Sequence, residues 1–278
     1  MSDPYIVVLE VETEVRALLF DSEARRVEGY SAQLPSRADA AADCLDEMHR
    51  LVHAAEFRIA AVVGRAESEV TAEDRNYWPA FEGAAWFPSL PDGAGMLLGS
   101  GCVGHRKFGL VVAGTSLLGT VVERPMELEG LTCPQIDDRR WLLSGAVPEA
   151  GGAYAAVKRE LKMKGSIEEY LETAAADDPH LAGLSSVEQR FREIFERLKL
   201  AVMEPAEVIA CGATLLKSPS WTLRLASALG VPLTLCTEPE PAGRGAALLA
   251  LERTGSIRHL EALPASTAGM IRPVAATS

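Results

Sequence analysis

The sequence holds no C-x-x-C pair, no G-x-x-x-x-G-K-[ST] phosphate loop, no H-E-x-x-H metal motif and no nucleophile elbow. Its apolar runs fall well short of the roughly 20 residues that a membrane-spanning helix takes, so no membrane segment is expected. Five cysteines (Cys44, Cys102, Cys133, Cys211, Cys236) are scattered and odd in number. That argues against a disulfide framework or a structural zinc site and for buried free thiols in a reducing compartment. Histidine is equally sparse: His49 and His53 sit four apart on one helix face without an accompanying acid set, and read as a solvated edge. Positive charge is short as well, with 27 Lys and Arg against 39 Asp and Glu, a formal net charge of -12. No general nucleic-acid or anionic-membrane surface is expected from that balance. The start, from Met1 to Tyr5, has no basic region and the apolar residues 6–9 are too few for a secretion signal, so a cytoplasmic location is expected.

What is present is the material of a globular core: 48% hydrophobic residues in 278, enough for one large domain or two small ones. Residues 5–11 and 15–21 are β-branched and aliphatic runs around Glu12-Thr13-Glu14, and predict a hairpin. Apolar residues at helical spacing predict a helix over 39–55, followed by a short buried strand over 58–63. Strands are expected at 108–113, 119–123 and 140–147, with a helix from Gly151-Gly152 to Met163. Residues 185–203 predict a strong helix that Ser186 can cap. The chain then alternates strand (207–210), helix (221–229), strand (231–236) and helix (245–253), which favours an α/β fold with a largely parallel sheet. No internal repeat of fixed period is visible, and the tail beyond Pro264 reads as frayed.

Three glycine-containing turns could carry chemistry. Gly99-Ser100-Gly101-Cys102-Val103-Gly104 matches G-x-G-x-x-G, but the residues that follow predict a turn into a strand and not a helix. A glycine-rich hairpin therefore fits better than a dinucleotide loop. Gly114-Thr115-Ser116 follows an apolar strand, where glycine admits an anion close to the backbone and hydroxyls and N–H groups can bind phosphate oxygens; a plain turn has the same composition. Asp92, on the turn before Gly93-Ala94-Gly95, could serve as a general base toward a hydroxyl or simply form the turn.

Taken in order, these segments resemble the FGGY carbohydrate kinases, particularly the gluconate-kinase-like branch. Asp92-Gly93-Ala94, Gly99 to Gly104 and Ala113-Gly114-Thr115-Ser116 are similar to that family's catalytic-aspartate and phosphate-loop run. Asp138-Arg139-Arg140-Trp141 through Gly151-Gly152, and Ala210-Cys211-Gly212-Ala213-Thr214 through Ser218-Pro219-Ser220-Trp221, resemble its nucleotide-side segments. Glu240 and Arg244-Gly245-Ala246 resemble a helix that packs behind the Gly212 turn. The resemblance implies an α/β, actin-like ATPase (ribonuclease H-like) fold, with a truncated N-terminal domain over 1–90, a C-terminal nucleotide-facing domain over 91–263 and a tail over 264–278. It implies ATP and Mg²⁺, with Asp92 as the catalytic base and phosphate or nucleotide contacts from Thr13, Gly114, Thr115 and Ser116. Gly151, Gly152, Gly212, Ala213 and Ser218 would complete the nucleotide site, and Glu10 would hold the metal weakly, through water. The implied activity is that of a phosphotransferase with an alcohol acceptor, passing the γ-phosphoryl of ATP to a hydroxyl of a sugar or gluconate-like sugar acid, weakly or no longer at all.

Two other readings stand beside this one. A non-catalytic nucleotide-binding or regulatory protein could derive from such a kinase, with Trp78, Trp86 and Phe87 as a homodimer or partner surface; the plain reading of these aromatics is core. A small-molecule binder without nucleotide is the third.

The departures from the family pattern bear on activity. The family's first loop reads Asp-x-Gly-Thr, where this chain has Glu10-Val11-Glu12-Thr13. The chain is shorter than the family's members, and Asp177-Asp178-Pro179 stands near the place of the G-E-R-S-P-like segment. Glu12 replaces a glycine that lets backbone approach phosphate and adds a negative charge there. At ~4 Å and an effective dielectric near 20, such a repulsion is on the order of 4 kcal/mol, or about a thousandfold in rate. Glu12→Gly is therefore expected to tighten nucleotide binding in a calorimetric titration without restoring turnover; unchanged affinity would show that Glu12 does not face the phosphates.

Overall fold

The computed structural model describes residues 3–11, 13–104, 106–163, 167–175 and 178–274. In chain order the first elements are β1 (Tyr5–Val11), β2 (Glu14–Phe20), β3 (Arg26–Pro35), α1 (Ala40–Ala54), β4 (Ile59–Val63), α2 (Ala72–Tyr77), β5 (Ala85–Phe87) and α3 (Ala94–Gly99). Then come β6 (Lys107–Val111), β7 (Leu117–Val122), β8 (Gln135–Asp137), β9 (Arg140–Ala146), α4 (Ala150–Glu160), α5 (Glu168–Thr173) and α6 (Ala182–Val202). The chain ends with β10 (Glu207–Cys211), α7 (Ala213–Lys217), α8 (Pro219–Leu229), β11 (Leu233–Cys236), α9 (Pro241–Arg253) and β12 (Thr267–Ile271). These form two compact units, one of residues up to 99 with 239–264, the other of residues 100–238 with 265 onward. The expected division at residue 90 differs from this one: residues 91–99 and the α9 segment pack with the first unit.

The first unit is built on a five-stranded sheet in the order β3-β2-β1-β4-β5. The expected hairpin is there, with Val11 opposite Val15 and Ile6 opposite Phe20, and β4 lies parallel to β1. Side chains alternate across a strand, so each strand feeds two faces. Val7, Leu9, Val15, Ala17 and Leu19 join a core with Cys44, Leu45, Met48 and Val52 of α1. Phe20 points the other way, toward Gly243 of α9. That helix is buried on nearly every side, from Gly243 to Glu252, as a helix sandwiched inside a unit must be. It is pressed backbone to backbone against α3: a Cβ on Gly245 would stand 2.0 Å from the Gly95 carbonyl oxygen, and one on Gly99 1.7 Å from that of Pro241. The buried Arg244 guanidinium fastens the same place, donating to the carbonyls of Gly99 at 2.8 Å, Leu263 at 2.8 Å and Pro264 at 3.0 Å.

The second unit holds a seven-stranded sheet in the order β12-β11-β10-β6-β7-β9-β8. Its inner part repeats the first unit's plan: β6 and β7 form a hairpin, β9 adds antiparallel to β7, and β10 and β11 add parallel on the other side. The duplication lies in topology, which is why no periodic repeat is visible in the residues. Phe191, Phe195 and Leu198 of α6 and Trp221, Leu225 and Leu229 of α8 pack with Phe108, Leu110 and Val208 of the strands.

Several expectations change. The long helix begins at Ala182 with Leu181 in the cap position and no side-chain cap, so Ser186 lies inside it. Residues 267–271 of the supposedly frayed tail form β12, paired antiparallel with β11. Gly99 ends α3 and the residues up to Gly104 lead into β6, so this glycine run is neither a hairpin between strands nor the opening of a helix. The Gly245 helix packs against α3 and the first sheet, within the first unit. Trp78 and Trp86 are buried in the first core, and Phe87 is half-buried with the Arg253 guanidinium 5.1 Å from its ring, so these aromatics form no partner surface.

Gly245→Ala should lower the unfolding free energy by about 1–3 kcal/mol or more, because a Cβ has no space at the α3–α9 contact. Gly269→Ala, whose Cβ would meet nothing within 4 Å, should stay within about 0.5 kcal/mol. Urea midpoints of the two variants check the pair; equal losses would show that the glycine contact is not what holds α9.

Candidate functional site

In the second unit β6, β9, β10 and β11 all run the same way, so the turns after them emerge at one end of the sheet. Open α/β sheets bind ligands outside the C-terminal ends of their strands, where successive connections depart to opposite sides. Here that point is the β6–β10 pair, since the chain leaves β6 for β7 on one side and later adds β10 on the other. The predicted glycine turns gather at this place. Val112 continues β6 by donating its N–H to the Cys211 carbonyl at 2.9 Å. Gly212, at φ +130°, lies so close behind it that a Cβ would stand 2.1 Å from the Val112 carbonyl oxygen. A Cβ on Gly151, in the first turn of α4, would stand 2.3 Å from the Ala113 carbonyl oxygen. Gly114, Thr115, Gly152 and Ala213 are exposed around them.

Two hydroxyls expected at the ligand are used inside the protein. Ser116 is buried and closes its own turn, accepting from Ala113 N–H at 3.2 Å and donating to the Ala113 carbonyl at 2.8 Å. Ser218 is fully buried: it accepts from Trp221 N–H at 3.4 Å as the cap of α8 and donates to Glu168. Glu168 also accepts from Ser220 N–H at 2.9 Å and from the Tyr154 hydroxyl at 3.3 Å. Burial alone would raise its carboxyl, but the hydrogen bonds from Ser218, Ser220 and Tyr154 outweigh burial and hold it below the ordinary carboxylate range. The sequence reading missed Glu168, which ties α5 to the start of α8; nothing local in the acidic stretch marks one glutamate out from its neighbours. Open backbone at Gly114 and Thr115, with glycine alone admitted at 151 and 212, fits a phosphate-bearing ligand held by main-chain donors rather than by serine hydroxyls.

In the first unit β1, β4 and β5 are parallel; Glu10 is the penultimate residue of β1, Gly64 follows β4 and Asp92 comes after β5. Asp92 is exposed, on the turn that precedes α3, with Gly93 at φ +77°. Thr13 is exposed on the hairpin turn, and Glu12 lies outside the described residues. Glu10 does not offer a carboxylate to a metal in the way the sequence suggested. Arg16 donates to its Oε2 at 2.5 Å and also to both oxygens of Glu240 at 3.2 Å, while Arg26 donates to Glu240 at 3.1 Å. Burial works against the Arg16 charge, but Glu10 and Glu240 outweigh it and raise the guanidinium above its ordinary value. A divalent cation therefore does not fit at this carboxylate as it stands. Arg16 was also missed, though it was readable: with the hairpin centred on Thr13, positions 10 and 16 face each other, and they pair in the sheet. Among the described residues no group of three His, Cys, Asp or Glu side chains is arranged to hold a metal ion.

Cys133 is half-buried and the other four cysteines are buried. Contact with Cys236 and burial push the Cys211 thiol up, and burial pushes Cys102 up to about 12. No helix among the described residues is long and apolar enough to cross a membrane.

No family model matches the chain, and no curated protein is similar to it in sequence. Solved structures are similar to it in fold. A gluconate kinase from Lactobacillus acidophilus superposes with a TM-score of 0.77 at 13% identity, over 98% of this chain and 94% of that one. A Plasmodium falciparum glycerol kinase with ADP gives 0.67 at 7% identity, over 97% and 94%. A ROK family protein from Streptococcus pneumoniae TIGR4, in complex with sucrose, gives 0.59 at 10% identity, over 91% and 100%. The fold is the actin-like ATPase fold of sugar kinases, and the expected fold class holds.

The two glycines of α4 separate structure from ligand contact. Gly152→Ala, with nothing within 4 Å of the new Cβ, should raise helix stability by up to about 1 kcal/mol. Gly151→Ala should destabilise by about 1–3 kcal/mol. A drop in ADP affinity in the stable Gly152→Ala protein, read by calorimetry, would place the ligand at this helix; unchanged affinity would remove Gly152 from the site.

Proposed function

We propose that this chain binds an adenine nucleotide through the second unit and retains little or no transfer of phosphate to a sugar or sugar-acid hydroxyl. The observation that carries the reading is the convergence of the Gly114, Gly151 and Gly212 turns at the strand ends of β6, β9 and β10, three segments far apart in sequence. The likeness in fold to gluconate and glycerol kinases supports a kinase-like origin and an ATP or ADP ligand. In this reading Gly114, Thr115 and Gly151 give main-chain donors to phosphate oxygens, Gly152 borders them with its own N–H held by the Glu149 carbonyl at 3.2 Å, and Gly212 and Ala213 lie against the nucleoside. Ser116 and Ser218 hold the turns in place. Five scattered cysteines, four of them buried, suit a cytoplasmic setting.

A second reading, a working kinase, is favoured by Asp92, an exposed carboxylate on the turn that opens α3. Asp92 would take the proton of the acceptor hydroxyl as its oxygen bonds to the γ-phosphorus and ADP departs. The first reading explains better why the Glu10 carboxylate is bound to arginine. Calorimetric titration with ATP and ADP, followed by turnover assays on sugars and sugar acids, distinguishes the two. We expect binding with turnover weak or undetectable. Where turnover is measurable, Asp92→Asn should abolish it and leave nucleotide affinity within about twofold. Absence of binding to either nucleotide would refute the proposal, and robust wild-type turnover would establish the second reading.

A further inference from the structure

At the C-terminal end of β1 the Glu10 carboxylate is built into a neutral four-membered cluster: two glutamates, Glu10 and Glu240, and two arginines, Arg16 and Arg26. Each component comes from a different place that the fold fixes. Glu10 and Arg16 are cross-strand partners in the β1–β2 ladder. Arg26 opens β3, the next strand of the sheet, and Glu240 is the residue before α9. Arg16 bridges the two carboxylates, at 2.5 Å to Glu10 and 3.2 Å to both oxygens of Glu240, and Arg26 donates at 3.1 Å to the Glu240 Oε1 that Arg16 also binds. The α9 backbone closes the other side of Glu10, since a Cβ on Gly243 would lie 3.2 Å from its Oε1. The side chains are only 15–34% exposed, so solvent does little to loosen the arrangement.

A magnesium ion wants near-octahedral oxygens at about 2.0–2.1 Å. At Glu10 it would have to displace the Arg16 N–H donors from the oxygen they bind, or sit beside a fixed guanidinium of like charge. We infer that Arg16 is a built-in countercharge that closes Glu10 to divalent cations, so that a nucleotide on this chain is held without a magnesium ion at the first loop. The second clause rests on the proposed nucleotide site; the closure of Glu10 does not.

The test uses the full chain with Mn²⁺ alone as probe, read by electron paramagnetic resonance. Wild type and Glu10→Gln should bind Mn²⁺ alike. Arg16→Met should gain one site at least tenfold tighter than wild type, and Arg16→Met combined with Glu10→Gln should lose it. A wild-type site that Glu10→Gln weakens tenfold overturns the inference, as does an Arg16→Met protein that folds yet gains no site. Should Arg16→Met not fold, the wild-type and Glu10→Gln comparison decides alone. For the nucleotide, ADP affinity in Mg²⁺ and in chelator should agree within threefold. A tenfold magnesium preference that Glu10→Gln removes overturns the inference; one that survives Glu10→Gln puts the cation on other oxygens and upholds it. If ADP does not bind at all, the proposed function fails while the Mn²⁺ comparisons still decide whether Glu10 is closed.

Discussion

Backbone packed against backbone, with no room for a Cβ, is the constraint on which the rest of this structure depends. It holds α3 to α9 at Gly95, Gly99 and Gly245 in the first unit, and sets the Gly151 and Gly212 turns against the end of β6 in the second. Contacts this close give main-chain N–H and carbonyl groups a role that side chains usually fill. In the first unit the outcome is a buried helix whose Arg244 donates to the carbonyls of Gly99, Leu263 and Pro264. In the second it is a cluster of turns whose exposed surface is peptide backbone.

The two sheets solve one topological problem twice. Each begins with a hairpin, adds a third antiparallel strand on one side, and places two parallel strands on the other. Each therefore has a switch point beside its first strand, where connections leave in opposite directions and the strand ends are uncovered. The two ends have been furnished differently. At the first stand Glu10, Arg16, Arg26 and Glu240, charged and paired with one another; at the second stand Gly114, exposed, and Gly151 and Gly212, packed against the strand end. An anion meets no net attraction from the first set and ready main-chain donors in the second. That difference is why the nucleotide proposal is attached to the second unit.

Much of this could be read from the residues. The β1–β2 hairpin, α1, β4, α8 and the alternation at the end of the chain follow from apolar spacing, and the turns that matter are marked by glycine. What could not be read depends on long-range assembly. Gly245 reads as a packing glycine, but its contact with Gly95 of α3 is not legible, because nothing local tells a helix which element will bury it; α9 looks apolar on all sides. Ser218 was read as a ligand contact, and only the approach of Glu168, fifty residues earlier, shows that its hydroxyl is committed. β12 escaped notice because its residues, Thr267 to Ile271, are exposed at nearly every position and owe their strand form to pairing with β11. Trp78 and Trp86 are core for a reason that sequence shows only in part: Trp78 has a polar edge to satisfy and finds Asp46 of α1 at 2.5 Å.

The charge at the first switch point also bears on how such a chain could lose one activity and keep another. A carboxylate that meets a guanidinium across a strand pair is held by the sheet register itself, so its neutralisation costs no extra ordering of long side chains beyond what the hairpin already imposes. The turns around β6 are under a different restriction. Any side chain at Gly151 or Gly212 would collide with a carbonyl of the strand end, whether or not a ligand is ever bound. Packing therefore preserves the shape of the second site even if selection for phosphoryl transfer is gone, whereas nothing in the packing of the first hairpin preserves a metal site. Glycine-lined turns in the second unit and a charge-sealed hairpin in the first are what these two unequal restrictions favour.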